Sequence, residues 1–124
     1  MGTWGSGNFD SDTAADHLSD LTARLVREIE EAMAGDPVEL EADEYWGTAV
    51  PCNLEVLHLL ATRNWVGVTL PGAATVESWK ATYLAAWEAS IDGLEPVAGF
   101  KEQRRAVLER TFDQLAAAIR DNEA

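Results

Sequence analysis

Apolar residues recur along this chain at helical spacing in four stretches separated by glycine and proline, and that pattern predicts four helices. The first stretch holds Ala14, Leu18, Leu21, Leu25, Ile29, Ala32 and Met33, mostly three and four residues apart, so these side chains share one face. Asp10, Ser11, Asp12 or Thr13 is placed to cap its start. Gly35-Asp36-Pro37 stops it, because glycine accepts a left-handed cap and proline cannot continue a helix. Arg24 with Glu28, and Arg27 with Glu31, set opposite charges four residues apart on the polar side.

A second helix is expected from near Glu41, where Glu39, Glu41, Asp43 and Glu44 put negative charge at the positive end of its dipole. Leu54, Leu57 and Ala61 form its stripe, widened by Val50, Val56 and Leu60. Pro51 lies inside this pattern and predicts a kink or restart just before it. Asn64 to Ala74, with Gly67, Pro71 and Gly72, reads as a loop whose Trp65 to Leu70 run is compatible with a short extended segment. Val76, Trp79, Tyr83, Trp87 and Ile91 make the third stripe, ended by Gly93, Glu95 and Pro96. The last helix is expected from about Gly99 to Asp121, with Val107, Leu108, Phe112, Leu115 and Ile119 as its seam. The expected fold is therefore all-α: a compact bundle of about four helices forming a single helical domain over residues 1–124.

Ahead of the first helix, Gly2, Gly5 and Gly7 surround Trp4. Neither phosphate-loop spacing is present, no strand precedes the segment, and Asp10 and Asp12 would repel a phosphate there. The glycines are expected to permit tight positive-φ turns that let Trp4 and Phe9 fold back on the core as a non-helical plug. Taken together, Met1, Gly2, Thr3, Trp4, Gly5, Gly7, Phe9, Asp10, Asp12, Ala15 and Asp16 resemble the opening of the bacterial domain-of-unknown-function 4259 family. The resemblance extends more loosely over the rest of the chain and implies a bacterial protein, but it brings no established reaction.

Charge changes the picture more than composition does. The net charge is -13, and residues 1 to 62 carry thirteen acids against Arg24 and Arg27, leaving only nine acids against seven bases for the second half. Such a field repels nucleic-acid backbones and steers basic partners inward. No apolar run reaches the roughly 18 residues of a membrane span, so no membrane partner is expected. Met1-Gly2-Thr3 shows no secretory leader, and the single Cys52 reads as a small buried hydrophobe, so the expected compartment is the cytoplasm. Met1-Gly2-Thr3-Trp4-Gly5-Ser6 formally fits a myristoylation signal but lacks a polybasic companion.

Candidate chemistry is sparse. Glu55 and His58 have the Glu-x-x-His spacing of carboxylate-bridged bundles, but those sites need two such pairs, and His17 has no glutamate three residues before it. Asp10-Ser11-Asp12 begins like a calcium loop, yet Ala15 and Leu21 stand where the glycine and the closing glutamate belong. Cys52 and His58 diverge by about 120° on a helix, a poor nucleophile–base dyad. Lys101, Arg104, Arg105 and Arg110 oppose the dipole at the start of the last helix and are expected to lie against acids of the first half. The reading that results is a binding module, an inhibitor, immunity-type antidote or adaptor. It docks a basic protein partner through Asp10, Asp12, Asp16, Glu41, Asp43, Glu44 and Trp65 and needs no cofactor. The alternatives are a metal-dependent bundle using Glu55 and His58, and self-association through the surplus aromatics.

Overall fold

Ser11 opens the first helix in the computed structural model, which describes residues 2–123 and so leaves Met1 of the N-terminal motif outside the described residues. Its hydroxyl accepts from the Ala14 amide at 3.2 Å, satisfying one of the donors a helix start leaves free. Four helices follow: α1 (Asp12–Ala34), α2 (Tyr45–Thr62), α3 (Ala73–Ile91) and α4 (Phe100–Glu123). Short 3-10 turns at Pro37–Leu40 and Asp92–Leu94 carry the α1–α2 and α3–α4 connections. Among the described residues there is no strand, only an isolated antiparallel bridge between Thr3 and Ser11. The fold is the expected all-α bundle, without the extended segment considered for residues 65–70.

Cross-helix contacts fix the directions. Asn53 on α2 donates to the Leu25 carbonyl and to Glu28 on α1, while Lys80 and Glu77 on α3 meet Asp113 and Arg120 on α4, so both pairs are antiparallel. Ala42, just ahead of α2, donates its amide to Ser90 near the end of α3 at 3.0 Å, which makes that pair antiparallel as well. Consequently α2 and α4 both start at one end of the bundle, beside the 35–44 and 92–99 connections, and α1 starts at the other.

The core is one cluster built from Ile29, Leu54, Leu57, Val76, Tyr83, Trp87, Leu108, Phe112 and Leu115 with their neighbours. All of Val76, Trp79, Tyr83, Trp87 and Ile91 are buried, as their spacing predicts. The stripes of α1 and α2 are rotated from the expected ones. Ala15 and Thr22 are buried on α1 while Leu21 is exposed; on α2, Gly47 and Pro51 are buried while Val56 is exposed. Thr22 is tolerated inside because its hydroxyl donates to the Leu18 and Ser19 carbonyls and accepts the Thr69 amide.

Three expectations need correction here. The second helix starts at Tyr45 rather than near Glu41, because the 3-10 turn and residues 41–44 intervene. Cys52 is exposed, not buried. The restart considered at Pro51 does not occur: α2 runs as one helix from Tyr45 to Thr62. Proline at 51 has no N–H for the Gly47 carbonyl, and the Tyr83 hydroxyl donates to that carbonyl instead, at 2.5 Å.

Candidate functional site

The two ends of the bundle differ in character. At the end where α1 begins, the N-terminal segment and the 63–72 loop close over the helix. Phe9 stacks on Trp65 with ring centroids 4.3 Å apart, and the Arg63 guanidinium lies 5.7 Å from the Trp65 ring centre. Ser19 and Thr69 hydroxyls meet at 2.9 Å. Gly67, at φ +105°, passes so close to the Ala15 backbone that no side chain fits there. Trp65, expected as a binding residue, is thereby engaged inside the molecule.

The N-terminal segment is a hairpin rather than a plug. The Trp4 amide donates to the Asp10 carbonyl at 2.9 Å and the Asp12 amide to the Gly2 carbonyl at 2.6 Å. The Asp10 carboxylate accepts the Gly7 amide at 2.9 Å. Gly5 and Gly7 face that carboxylate, and Gly2 faces Asp12, closely enough that a β-carbon would displace either one. The glycines thus serve close approach, not positive φ, and Asp10 and Asp12 are occupied in shaping the hairpin. Trp4 is 49% exposed, and Phe9 packs on Trp65 instead of entering the core, which corrects the expectation of a buried plug.

At the opposite end the surface is open. Asp36 caps the 3-10 turn by accepting the Val38 amide at 3.0 Å, Leu40 is buried beneath it, and residues 41–44 then lie against α2 at Gly47, where a β-carbon would strike the Glu41 carbonyl. Glu44 is the N-cap of α2 but its side chain makes no capping bond, and α2 has no acid in its first turn. Helix capping therefore does not account for this cluster. Asp36, Glu39, Asp43, Glu44, Asp92 and Glu95 are all exposed at this end, among the exposed apolar side chains Val38, Tyr45, Leu94, Val97 and Phe100. Tyr45 and Val97 stand out at 74% and 77% exposure.

The predicted acidic contacts do not converge. Asp10, Asp12 and Asp16 lie at the start of α1; Glu41, Asp43 and Glu44 lie beyond its end, and 23 helical residues separate them by about 35 Å at about 1.5 Å per residue. The cationic cluster on α4 is also reassigned. Lys101 pairs with Asp92 at 3.0 Å and with Glu88, and Arg105 pairs with Glu88 and Glu109, all acids of the second half rather than the first. Lys80 and Arg120 likewise pair within the second half, with Asp113 and Glu77. In the first half, among the described residues, the one ion pair is Arg24 with Glu28.

Burial pushes the Tyr83 hydroxyl up to about 12, with the neighbouring Arg104 guanidinium working in the opposite sense. Glu55 is exposed and His58 half-buried on α2, and among the described residues no three His, Cys, Asp or Glu side chains are grouped to hold a metal ion. No helix among those residues is long and apolar enough to cross a membrane.

Fold and surface together define an acidic four-helix bundle, covered at one end by the N-terminal hairpin and the 63–72 loop and bearing exposed acids and apolar side chains at the other. Residues 2–123 match the family described as Domain of unknown function (DUF4259), and the chain belongs to it. No curated protein and no solved structure matches the chain.

Proposed function

We propose that this chain is a protein-binding module that docks a basic partner through the open end of the bundle, with Glu41, Asp43 and Glu44 at the centre of the contact. The observation that carries the reading is the asymmetry of ion pairing. Five acids of the second half, Glu77, Glu88, Asp92, Glu109 and Asp113, pair with Lys80, Lys101, Arg105 and Arg120, while those of the 36–44 connection have no cation against them among the described residues. Unpaired charges of one sign project a field that accelerates encounter with an opposite surface. Exposed apolar side chains beside them supply the contact area that charge alone lacks. Asp10 and Asp12 are excluded from this face by their place in the hairpin. The test is capture of partners from bacterial lysate on immobilised protein at low and high salt, using wild type and a variant with Glu41, Asp43 and Glu44 reversed to lysine. A salt-sensitive basic protein retained by wild type and lost by the variant supports the reading; equal retention by both removes this patch from it.

A further inference from the structure

Residues 2–10 are fastened almost entirely to themselves. Among the described residues, their hydrogen bonds all end within the segment or at Asp12, the first residue of α1; besides the bonds already described, the Asp10 amide donates to the Gly7 carbonyl at 3.2 Å. Asp10 enters no ion pair among those residues. Residues 2–8 are all exposed, and none of the segment joins the core cluster. The contact that ties the hairpin to the 63–72 loop is the stack of Phe9 on Trp65. That loop is itself held independently: the Thr69 amide donates to the buried Thr22 hydroxyl at 3.1 Å, the Thr69 hydroxyl meets Ser19, and Gly67 lies against the Ala15 backbone.

A two-stranded hairpin with no packed face is marginal in water, and glycines at 2, 5 and 7 add to the entropy lost when it orders. The hairpin's order therefore leans on the stack, and the stack in turn needs the hairpin to hold Phe9 in place. We propose that residues 2–10 form a strap that closes over Trp65 and opens by an order–disorder transition of its own, with the four helices and the 63–72 loop staying folded. Lifting the strap breaks none of the bonds that hold the loop to α1. It does bare one face of the Trp65 ring, beside the Arg63 guanidinium and the exposed Val66, so the strap governs access to an aromatic surface that the closed molecule covers. Because this takes place at the end of the bundle away from Glu41, Asp43 and Glu44, the inference stands apart from the proposed function.

Hydrogen exchange of the full chain tests it. The Trp4 and Asp12 amides, bonded inside the strap, should exchange about a hundredfold faster than the Thr69 amide, and their rates should not rise with low denaturant as a global opening requires. Phe9→Ala should bring both strap amides to within about tenfold of the unprotected rate, with circular dichroism kept and Thr69 still slow. Gly5→Ala attacks the strap from the other side, since its β-carbon displaces the Asp10 carboxylate and leaves the Phe9 side chain intact. In protein labelled with 5-fluorotryptophan, both variants should shift the Trp65 fluorine resonance in the same direction, the signal being assigned as the one absent from Trp65→Phe. Strap amides that exchange only as fast as Thr69, and with its denaturant dependence, overturn the inference. A Trp65 resonance unmoved by Gly5→Ala does so too, as does a Phe9→Ala protein that loses protection at Thr69 along with the strap.

Discussion

The hydroxyl of Tyr83 on α3 donates across 2.5 Å to the carbonyl of Gly47 on α2, the carbonyl that Pro51 leaves without its helical donor. Two features that look unrelated in the sequence thereby become one. Proline inside α2 leaves the Gly47 carbonyl as a buried acceptor, and Tyr83, 36 positions after Gly47, satisfies it without interrupting the helix. Gly47 is glycine for its own reason, the close passage of the Glu41 carbonyl, so the same turn of helix also anchors the acidic 41–44 segment.

Tyr83→Phe removes that donor and strands a buried carbonyl, at an expected cost of about 1 to 3 kcal/mol in denaturant unfolding. In a Pro51→Ala background a backbone N–H is available to the Gly47 carbonyl, so the same substitution should cost about 1 kcal/mol less. Identical costs in the two backgrounds would mean that the hydroxyl is not what completes the α2 ladder.

Alkaline pH acts on the same bond. The folded Tyr83 hydroxyl titrates at about 12 against an ordinary 10.0, so its contribution is fully present below pH 10 and is lost as pH rises toward 12. The loss should reach about 2 to 3 kcal/mol. Unfolding free energies measured across that window should fall in wild type and fall less in Tyr83→Phe; parallel curves would exclude Tyr83 as the cause.

Gly67 and Gly93 provide a contrast at the level of backbone. Gly67 combines φ +105° with contact against the Ala15 backbone, which cannot yield as a side chain can, so Gly67→Ala should cost about 2 kcal/mol or more. Gly93 has open space around it, and Gly93→Ala should stay within about 0.5 kcal/mol of wild type. Comparable melting temperatures for the two variants would contradict the close packing of the 63–72 loop on α1.

Trp4, half exposed on the hairpin, should tolerate replacement by alanine at a cost below about 1 kcal/mol, far less than a buried tryptophan. Phe9→Ala should cost about 1 kcal/mol through its lost stacking on Trp65, visible as a change in tryptophan fluorescence that disappears in a Trp65→Phe background. A larger loss for Trp4 than for Phe9 would restore the plug.

Much of this architecture is legible in the sequence because periodicity reports burial directly. Val76 to Ile91 marks α3 residue by residue, and Leu108 to Ile119 marks α4. What escapes is information carried between elements. Leu21 and Val56 continue apolar patterns yet face outward, because spacing gives a stripe's existence but its centre depends on which neighbours cover it. The donor for Gly47 is invisible locally, although Pro51 alone announces that a carbonyl four residues earlier needs one. At the candidate site the charge asymmetry is plain in the sequence, whereas its division between two ends follows only once α1 is known to be a single helix of 23 residues. Asp10 looks like a surface acid until the hairpin shows its carboxylate holding the Gly7 amide, while Asp12 joins the hairpin through its backbone amide.

Binding at the open end is the central claim, and a charge-matched comparison tests it most directly. Two variants carry three reversals each: Glu41, Asp43 and Glu44 to lysine at the open end, and Asp16, Asp20 and Glu55 to lysine elsewhere. Both change net charge equally, and surface substitutions at positions that are exposed or, for Glu41, half-buried cost about 0.5 kcal/mol apiece, so both should fold. Association rates with the captured basic partner, measured at low and high salt, should fall steeply and lose their salt dependence in the first variant while changing modestly in the second. Equal slowing in both would show that total charge, not the open end, attracts the partner, and would contradict the account.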